Sequence, residues 1–88
     1  MNLLQASLRN ARFEDADLSG CNLSDADLSH GHFCHADLRG ANLKGADLSH
    51  ADLRGVDLRG ACTDGAQITG TQLEGAALSG TSLEVVKE

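Results

Sequence analysis

Residues 36–50 read ADLRGANLKGADLSH, three pentapeptides with the same order of side-chain types. Each begins with alanine, continues with aspartate or asparagine, places leucine third and ends in two residues suited to a turn. Leu or Phe recurs at every fifth residue from Leu3 to Leu58, and Ile68, Leu73, Leu78 and Leu83 resume the series after Thr63. A repeat this regular indicates the architecture before any single motif does.

The period of five favours extended backbone over helix. An α-helix turns about 100° per residue, so leucines five apart would spiral around its axis and form no apolar stripe. In extended backbone Ala36 and Leu38 share one face and Asp37 points to the other. Nine of the ten glycines take the last place of a pentapeptide, where a turn with positive φ costs them little. Each pentapeptide is therefore predicted to be one short strand and one corner.

A slower period of 20 residues brings rare residues back in the same place. The pairs are Phe13 with Phe33, His30 with His50, and Arg39 with Arg59. This period predicts four pentapeptides in each coil and about four coils, stacked about 4.8 Å apart. The third-position side chains then fill the interior. The predicted core is Phe13, Leu18, Leu23, Leu28, Phe33, Leu38, Leu43, Leu48, Leu53 and Leu58.

The runs ADLSG at 16–20, ADLRGANLKGADLSH at 36–50 and ADLRG at 51–55 resemble the pentapeptide-repeat proteins. The resemblance extends over essentially the whole chain. It implies an all-β fold, a right-handed quadrilateral parallel β-helix, or β-solenoid, with the central Leu or Phe and the preceding small residue inside. It implies less about function, because members of this family differ widely in what they do.

The sequence predicts one pentapeptide-repeat domain over residues 1–88, regular over 1–60, degenerate over 61–84 and ending in a short tail, 85–88. The first repeat has no capping helix before it, so an open β-edge is expected there, and such edges invite pairing. Val85 and Val86 are the candidate residues for an end-to-end contact between two copies, as dimers in the family have. The expected assembly is therefore a homodimer through one end.

Composition restricts the classes of function. No apolar run is long enough for a signal peptide or a membrane span, and three cysteines fit a reducing compartment, so a soluble cytoplasmic protein is expected. Cys21 takes an inward position, whereas Cys34 and Cys62 take outward ones. No phosphate loop, nucleophile motif or paired metal motif interrupts the repeat. We therefore expect no enzymatic activity and no cofactor.

The segment HGHFCH at 30–35 has the highest density of metal-ligating side chains in the sequence. Three histidines and a thiol point outward there, and His50 is expected to stack on His30 one coil away. The candidate metal ligands are His30, His32, Cys34, His35 and His50. The alternative is that histidine is simply tolerated at turn and outward positions, since the spacing matches no known metal motif. This alternative is the simpler one.

The net charge of −6 leaves two functions open. Some pentapeptide-repeat proteins resemble duplex DNA in size and charge and modulate DNA gyrase or topoisomerase, so DNA mimicry is one hypothesis. The carboxylates that would form its ladder are Asp17, Asp37, Asp57, Asp27 and Asp47. The other hypothesis is that these aspartates are architectural, bonding backbone amides in the turns. Direct nucleic-acid binding is not expected, because no aromatic side chain is left on the surface to stack bases.

A flat, rigid and repetitive surface is suited to binding another protein. The sequence therefore predicts a non-enzymatic scaffold for protein–protein interaction, with a protein partner that the sequence does not name, and modulation of gyrase or topoisomerase as the alternative. The arrangement of charge distinguishes the two. Continuous carboxylate rows favour DNA mimicry, whereas rows that mix carboxylates with arginines such as Arg39, Arg54 and Arg59 favour the scaffold.

Overall fold

In the computed structural model, which describes residues 2–81, the chain pairs with itself every 20 residues. All pairing is by isolated parallel bridges, one in each pentapeptide, and no helix or longer strand occurs within residues 2–81. The bridged residues form four rows, numbered in chain order: row 1 is Asn2, Asn22, Asn42 and Cys62; row 2 is Ser7, Asp27, Asp47 and Gln67; row 3 is Arg12, His32, Asp52 and Gln72; row 4 is Asp17, Asp37, Asp57 and Ala77. We call 2–21, 22–41, 42–61 and 62–81 the first to fourth repeats.

Two backbone hydrogen bonds hold every described bridge after the first one, that of Asn2 with Asn22. Leu38 N donates to Asp57 O over 2.8 Å, and Asp57 N donates to Ala36 O over 3.0 Å. The same two bonds recur at successive pentapeptides, so each repeat is bonded along its length to the next. The chain is therefore a parallel β-solenoid whose strands are reduced to their bridging residues.

A tight turn follows each bridge. Ala41 N donates to Leu38 O over 3.1 Å, which closes a four-residue turn around Arg39 and Gly40. Every fifth residue from 5 to 80 has positive φ, and glycine is not required there: Gln5, Asn10, Asp15, Asp25, His30, His35 and His50 adopt it as well. Asn and Asp tolerate this conformation better than most side chains. Three histidines and a glutamine also adopt positive φ, because the turn imposes this conformation on any residue at its last position.

The third-position side chains form one continuous core. Its fully covered members include Leu23, Leu28, Phe33 and every leucine of the series from Leu38 to Leu58. Phe13 was predicted as a core residue too, but it is only partly buried and stacks on Phe33 with ring centroids 5.3 Å apart. The reason is its place in the first repeat, which among the described residues packs against the second repeat alone.

The degenerate fourth repeat keeps the register. Its bridges continue through Cys62, Gln67, Gln72 and Ala77, and Thr63 is buried in the place of a leucine. Thr81, in a position that is usually alanine, donates its hydroxyl hydrogen to Leu78 O over 2.7 Å, which satisfies the polar group where it is buried.

Val85 and Val86, the residues predicted for an end contact, lie outside the described residues. None of the described segments is a helix long and apolar enough to cross a membrane.

Candidate functional site: the Asp/Arg surface

The outward Asn and Asp side chains first serve the turns that follow them. Asp37 Oδ1 accepts a hydrogen bond from Arg39 N over 3.1 Å, and Asn42 Oδ1 accepts one from Lys44 N over 3.1 Å. The same contact is made by Asn2, Asp17, Asn22, Asp27, Asp47, Asp52 and Asp57. Since Asn does this as well as Asp, the contact needs an oxygen acceptor and not a charge.

Arginine completes three of these turns with a two-pronged contact. In row 4, Arg39 donates to Asp37 from Nε over 2.9 Å and from Nη2 over 2.7 Å. Arg59 donates to Asp57 over 2.8 and 2.6 Å, one repeat further along. Arg39 Nε also lies 3.9 Å from Asp57 Oδ2, which links the two pairs along the row. We call Asp37, Arg39, Asp57 and Arg59 the Asp/Arg surface.

A third pair of this kind lies in row 3. Arg54 donates to Asp52 from Nε over 2.8 Å and from Nη2 over 2.7 Å. The side chains of Arg39, Arg54 and Arg59 keep 54%, 52% and 57% of their surface exposed, whereas their aspartates keep 28%, 20% and 27%. The guanidinium groups are therefore held in one orientation while remaining available to a partner.

Serine takes the place of arginine beside the three remaining bridge-position aspartates, Asp17, Asp27 and Asp47. Asp17 accepts a hydrogen bond from the Ser19 hydroxyl over 2.7 Å, and Asp27 accepts one from Ser29 over 2.6 Å. Asp47 accepts a short hydrogen bond from Ser49. All five aspartates of the predicted ladder are thus hydrogen-bonded within their own pentapeptides.

These contacts favour the ionised carboxylates. The side-chain hydrogen bond from Arg39 is the main cause that lowers the pKa of Asp37 to about 2, and its backbone amide adds to the effect. Arg59 and Arg54 lower the pKa of Asp57 and Asp52 in the same way. For Asp17 and Asp27 the main cause of a lowered pKa is the serine hydroxyl. The carboxylates stay charged throughout the neutral range.

The two carboxylate rows differ in charge. Asp17, Asp37 and Asp57 are aligned as bridge partners in row 4, but the last two are each paired with an arginine. In row 2, Asp27 and Asp47 stand between the uncharged Ser7 and Gln67. Row 4 is therefore a mixed ladder of both signs, and row 2 carries only two adjacent carboxylates.

The candidate metal ligands are spread over three turns and one row. The rings of His30 and His50 stack with centroids 5.1 Å apart and planes inclined by 20°. His32 lies in row 3, and Cys34 and His35 lie in the turn after it. Ring-nitrogen lone pairs lie in the plane of the ring, so two nearly parallel rings do not aim them at one ion. Among residues 2–81, no group of three or more His, Cys, Asp or Glu side chains is placed to hold a metal.

The three cysteines are free thiols in different surroundings. Cys21 is buried, Cys34 is partly buried and Cys62 is exposed.

Sequence reasoning overlooked the serine partners of Asp17, Asp27 and Asp47. The signal was available, because a serine follows each of these aspartates by two residues, and that spacing places both side chains on the same side of the turn.

Comparison with known proteins agrees with this geometry. The sequence pattern of the family described as "Pentapeptide repeats" matches residues 1–25 and 21–60, with eight copies of the repeat. No protein of curated function matches the sequence significantly. Among solved structures, the pentapeptide repeat protein alr5209 from Nostoc PCC 7120 is 43% identical, with a TM-score of 0.84, over 85% of this chain and 62% of that one.

Two further structures are similar. AT2G44920, a pentapeptide repeat protein from the Arabidopsis thaliana thylakoid lumen, is 32% identical with a TM-score of 0.87, over 92% of this chain and 57% of that one. HetL, a pentapeptide repeat protein involved in heterocyst differentiation regulation in Nostoc PCC 7120, is 35% identical with a TM-score of 0.69, over 91% and 46%. This chain spans about three fifths or less of the length of these relatives. The repeat, the bridges and these matches together show that the chain belongs to the pentapeptide-repeat family.

Proposed function

We propose that this protein is a non-enzymatic scaffold that binds another protein through the Asp/Arg surface. The observation that carries the proposal is the two-pronged contact of Arg39 with Asp37 and of Arg59 with Asp57, repeated one bridge apart. Each contact holds a long side chain in one orientation while more than half of it stays exposed.

Preorganisation is what makes this surface suited to binding. An arginine free in solvent loses rotamer freedom when a partner immobilises it, which costs about 0.5–1.5 kcal/mol per side chain. Arg39 and Arg59 have already given up much of that freedom within the fold. Their guanidinium groups can offer planar donor edges to carboxylates or backbone carbonyls of a partner, a geometry that lysine does not reproduce.

The remaining parts of the proposal come from the family. A right-handed coil of four sides and about four turns would place row 4 along one flat side of the solenoid. An intracellular location and a homodimer through one end belong to the same proposal. DNA mimicry is less well supported, because it needs a row of unpaired carboxylates. In row 4, Asp37 and Asp57 are already paired with arginines.

The test is an affinity capture from the lysate of the cells that make the protein, followed by binding measurements on the captured partner. The variant Arg39→Gln, Arg59→Gln removes both guanidinium groups from the Asp/Arg surface. The matched control is Arg9→Gln, Arg12→Gln, which removes the same charge from the first repeat. We expect at least a tenfold loss of affinity for the first variant and less than a twofold loss for the control.

Each outcome separates the hypotheses. Equal loss in both variants would show that only net charge matters and would contradict a role for the Asp/Arg surface. Capture of gyrase or topoisomerase that washes off in high salt would favour DNA mimicry, since binding through charge alone is screened by salt. Capture of a different protein that the double variant releases and the control variant retains would support the scaffold.

A further inference from the structure

Rows 2 and 4 carry charges that complement each other at the same levels of the solenoid. One row separates them on either side, so they lie on opposite sides of the proposed four-sided coil. In the second and third repeats, row 2 presents the carboxylates of Asp27 and Asp47, which are bridge partners. In the same two repeats, Arg39 and Arg59 stand out from row 4, since they keep about twice the exposed fraction of the aspartates that hold them. Two anions on one side thus match two cations on the other.

The first and fourth repeats continue the match. In the first repeat, row 4 carries Asp17, which has a serine partner and no arginine, and the turn after row 2 carries the exposed Arg9. Arg9 also interacts with Asp27 of its own copy, one repeat further on. In the fourth repeat both rows and the turns that follow them are uncharged, with Ala77 and Ser79 on one side and Gln67 and Thr69 on the other. From the first repeat to the fourth, row 4 is outwardly negative, positive, positive and uncharged, whereas row 2 is positive, negative, negative and uncharged.

Two copies lying side by side with parallel axes bring row 4 of one copy against row 2 of the other. A sideways shift keeps each repeat level with the same repeat of its neighbour. Arg39 then faces Asp27 of the other copy, Arg59 faces Asp47, and the first repeats add a third pair of opposite charges. Each of the two arginines uses Nε and Nη2 for its own aspartate, which leaves Nη1 to donate to a second carboxylate. Both spacings are set by one bridge, about 4.8 Å, so the contacts can form together.

We propose that copies of this chain associate side by side, with row 4 of one copy against row 2 of the next. The inference rests on the proposed function, because it names a second copy as a partner of the Asp/Arg surface. The two contacting sides differ, so each copy keeps a free side and association continues into an open row of copies. A side no larger than about 30 by 22 Å is smaller than the roughly 800 Å² that each partner buries in a stable complex, and a net charge of −6 opposes contact. The association is therefore weak and depends on concentration.

Two variants of the whole chain each remove one of the contacting sides. Asp27→Asn, Asp47→Asn neutralises row 2 and keeps its turns, since the asparagines of row 1 make the same contacts with the turn amides. Arg39→Gln, Arg59→Gln removes the cations of row 4. Sedimentation equilibrium at about 0.15 M salt, which screens repulsion between whole molecules, measures the mass at protein concentrations up to about 1 mM. The unmodified protein should exceed the dimer mass, and each variant alone should lose at least tenfold in its association constant.

Mixing the two variants is the decisive measurement. An equal mixture should form dimers and stop there, because one variant supplies only row 4 and the other only row 2. The matched control is Arg12→Gln, Arg54→Gln, which removes the same charge from row 3 and its turn and should associate within twofold of the unmodified protein. A mixture that stays monomeric would overturn the proposal. So would variants that each associate as strongly as the unmodified protein, which is the result expected for contact through an end of the solenoid.

A measurement on the unmodified protein keeps the proposal testable if a variant fails to fold. Backbone amide signals of rows 2 and 4 should shift in nuclear magnetic resonance spectra as the protein concentration is raised, whereas those of rows 1 and 3 should not. Absence of these shifts, or equal shifts in all four rows, would overturn side-by-side association. The proposed function is tested separately by the partner captured from the lysate, so it stands or falls independently of this result.

Discussion

Asp37 accepts three hydrogen bonds from Arg39, one from its backbone amide at 3.1 Å and two from its guanidinium group at 2.9 and 2.7 Å. The two residues are separated by Leu38 alone, whose side chain is in the core. One carboxylate thus closes the turn and fixes the arginine that follows it. Asp37 and Arg39, like Asp52 with Arg54 and Asp57 with Arg59, are therefore partners within one pentapeptide.

Acid should destabilise the protein through these carboxylates. The pKa of Asp37 is lowered to about 2, so its contribution to stability is complete above the unfolded-state pKa near 3.9 and is lost as the pH falls towards 2. Asp17, Asp27, Asp52 and Asp57, whose pKa values are also lowered, act in the same direction. We expect the melting temperature to fall over this range, as circular dichroism can measure.

The Asp37→Asn variant tests the assignment. It keeps the oxygen that accepts from Arg39 N but cannot ionise, so its melting temperature should fall slightly less steeply with acid. The difference should be small, because exposed ion pairs contribute little and salt screens them. Identical slopes for the variant and the unmodified protein at low salt would show that Asp37 does not contribute.

Gly31→Ala should destabilise the protein, although alanine is the usual residue at that position. A Cβ atom on Gly31 would lie 2.5 Å from Phe33 Cε2 and 2.9 Å from Leu28 O. Both neighbours are part of the packed second repeat, so we expect a loss of about 1–3 kcal/mol in the free energy of unfolding, measured with urea. The companion variant Gly31→Ala, Phe33→Leu restores the usual pairing of alanine with leucine. It should be more stable than Gly31→Ala alone, and a further loss would refute steric conflict with the Phe33 ring.

Ala77→Asn should stabilise the fourth repeat. Ala77 is the row 4 bridge partner of Asp57, and Ser79 follows it by two residues, as Ser24 follows Asn22. An asparagine there can accept from the backbone amide and the hydroxyl of Ser79, contacts that Asn22 makes with Ser24 at 3.2 and 2.9 Å. We expect a gain of about 0.5–1.5 kcal/mol in the free energy of unfolding. Ala77→Gln, whose longer side chain does not reach back in the same way, is the control and should give no gain.

Leu48→Ala should cost far more than the same change at Leu4. Leu48 is fully buried between repeats on both sides, whereas Leu4 is 50% exposed in a turn. Replacing a buried leucine with alanine lowers the free energy of unfolding by about 2–5 kcal/mol. The same change at an exposed position alters it by less than about 0.5 kcal/mol. Urea unfolding of both variants measures the difference. Comparable losses at the two sites would mean that the core does not extend continuously through the third repeat.

The sequence by itself determined the period, the inward side chains and the family. Side chains that alternate over two residues and then meet a turn, every five residues, fit extended backbone and few other structures. It also determined that Asp37 and Arg39 would lie close, since residues two apart share a side of the chain. The 20-residue period also predicted that Phe13 meets Phe33 and that His30 meets His50 across repeats, but how closely side chains pack was decided by the tertiary structure. Within the second repeat, the Phe33 ring leaves no room for a Cβ atom on Gly31, and the place of Phe13 in the first repeat leaves it half-covered. These relationships depend on the volume of side chains in contact, which a linear pattern of residue types does not specify.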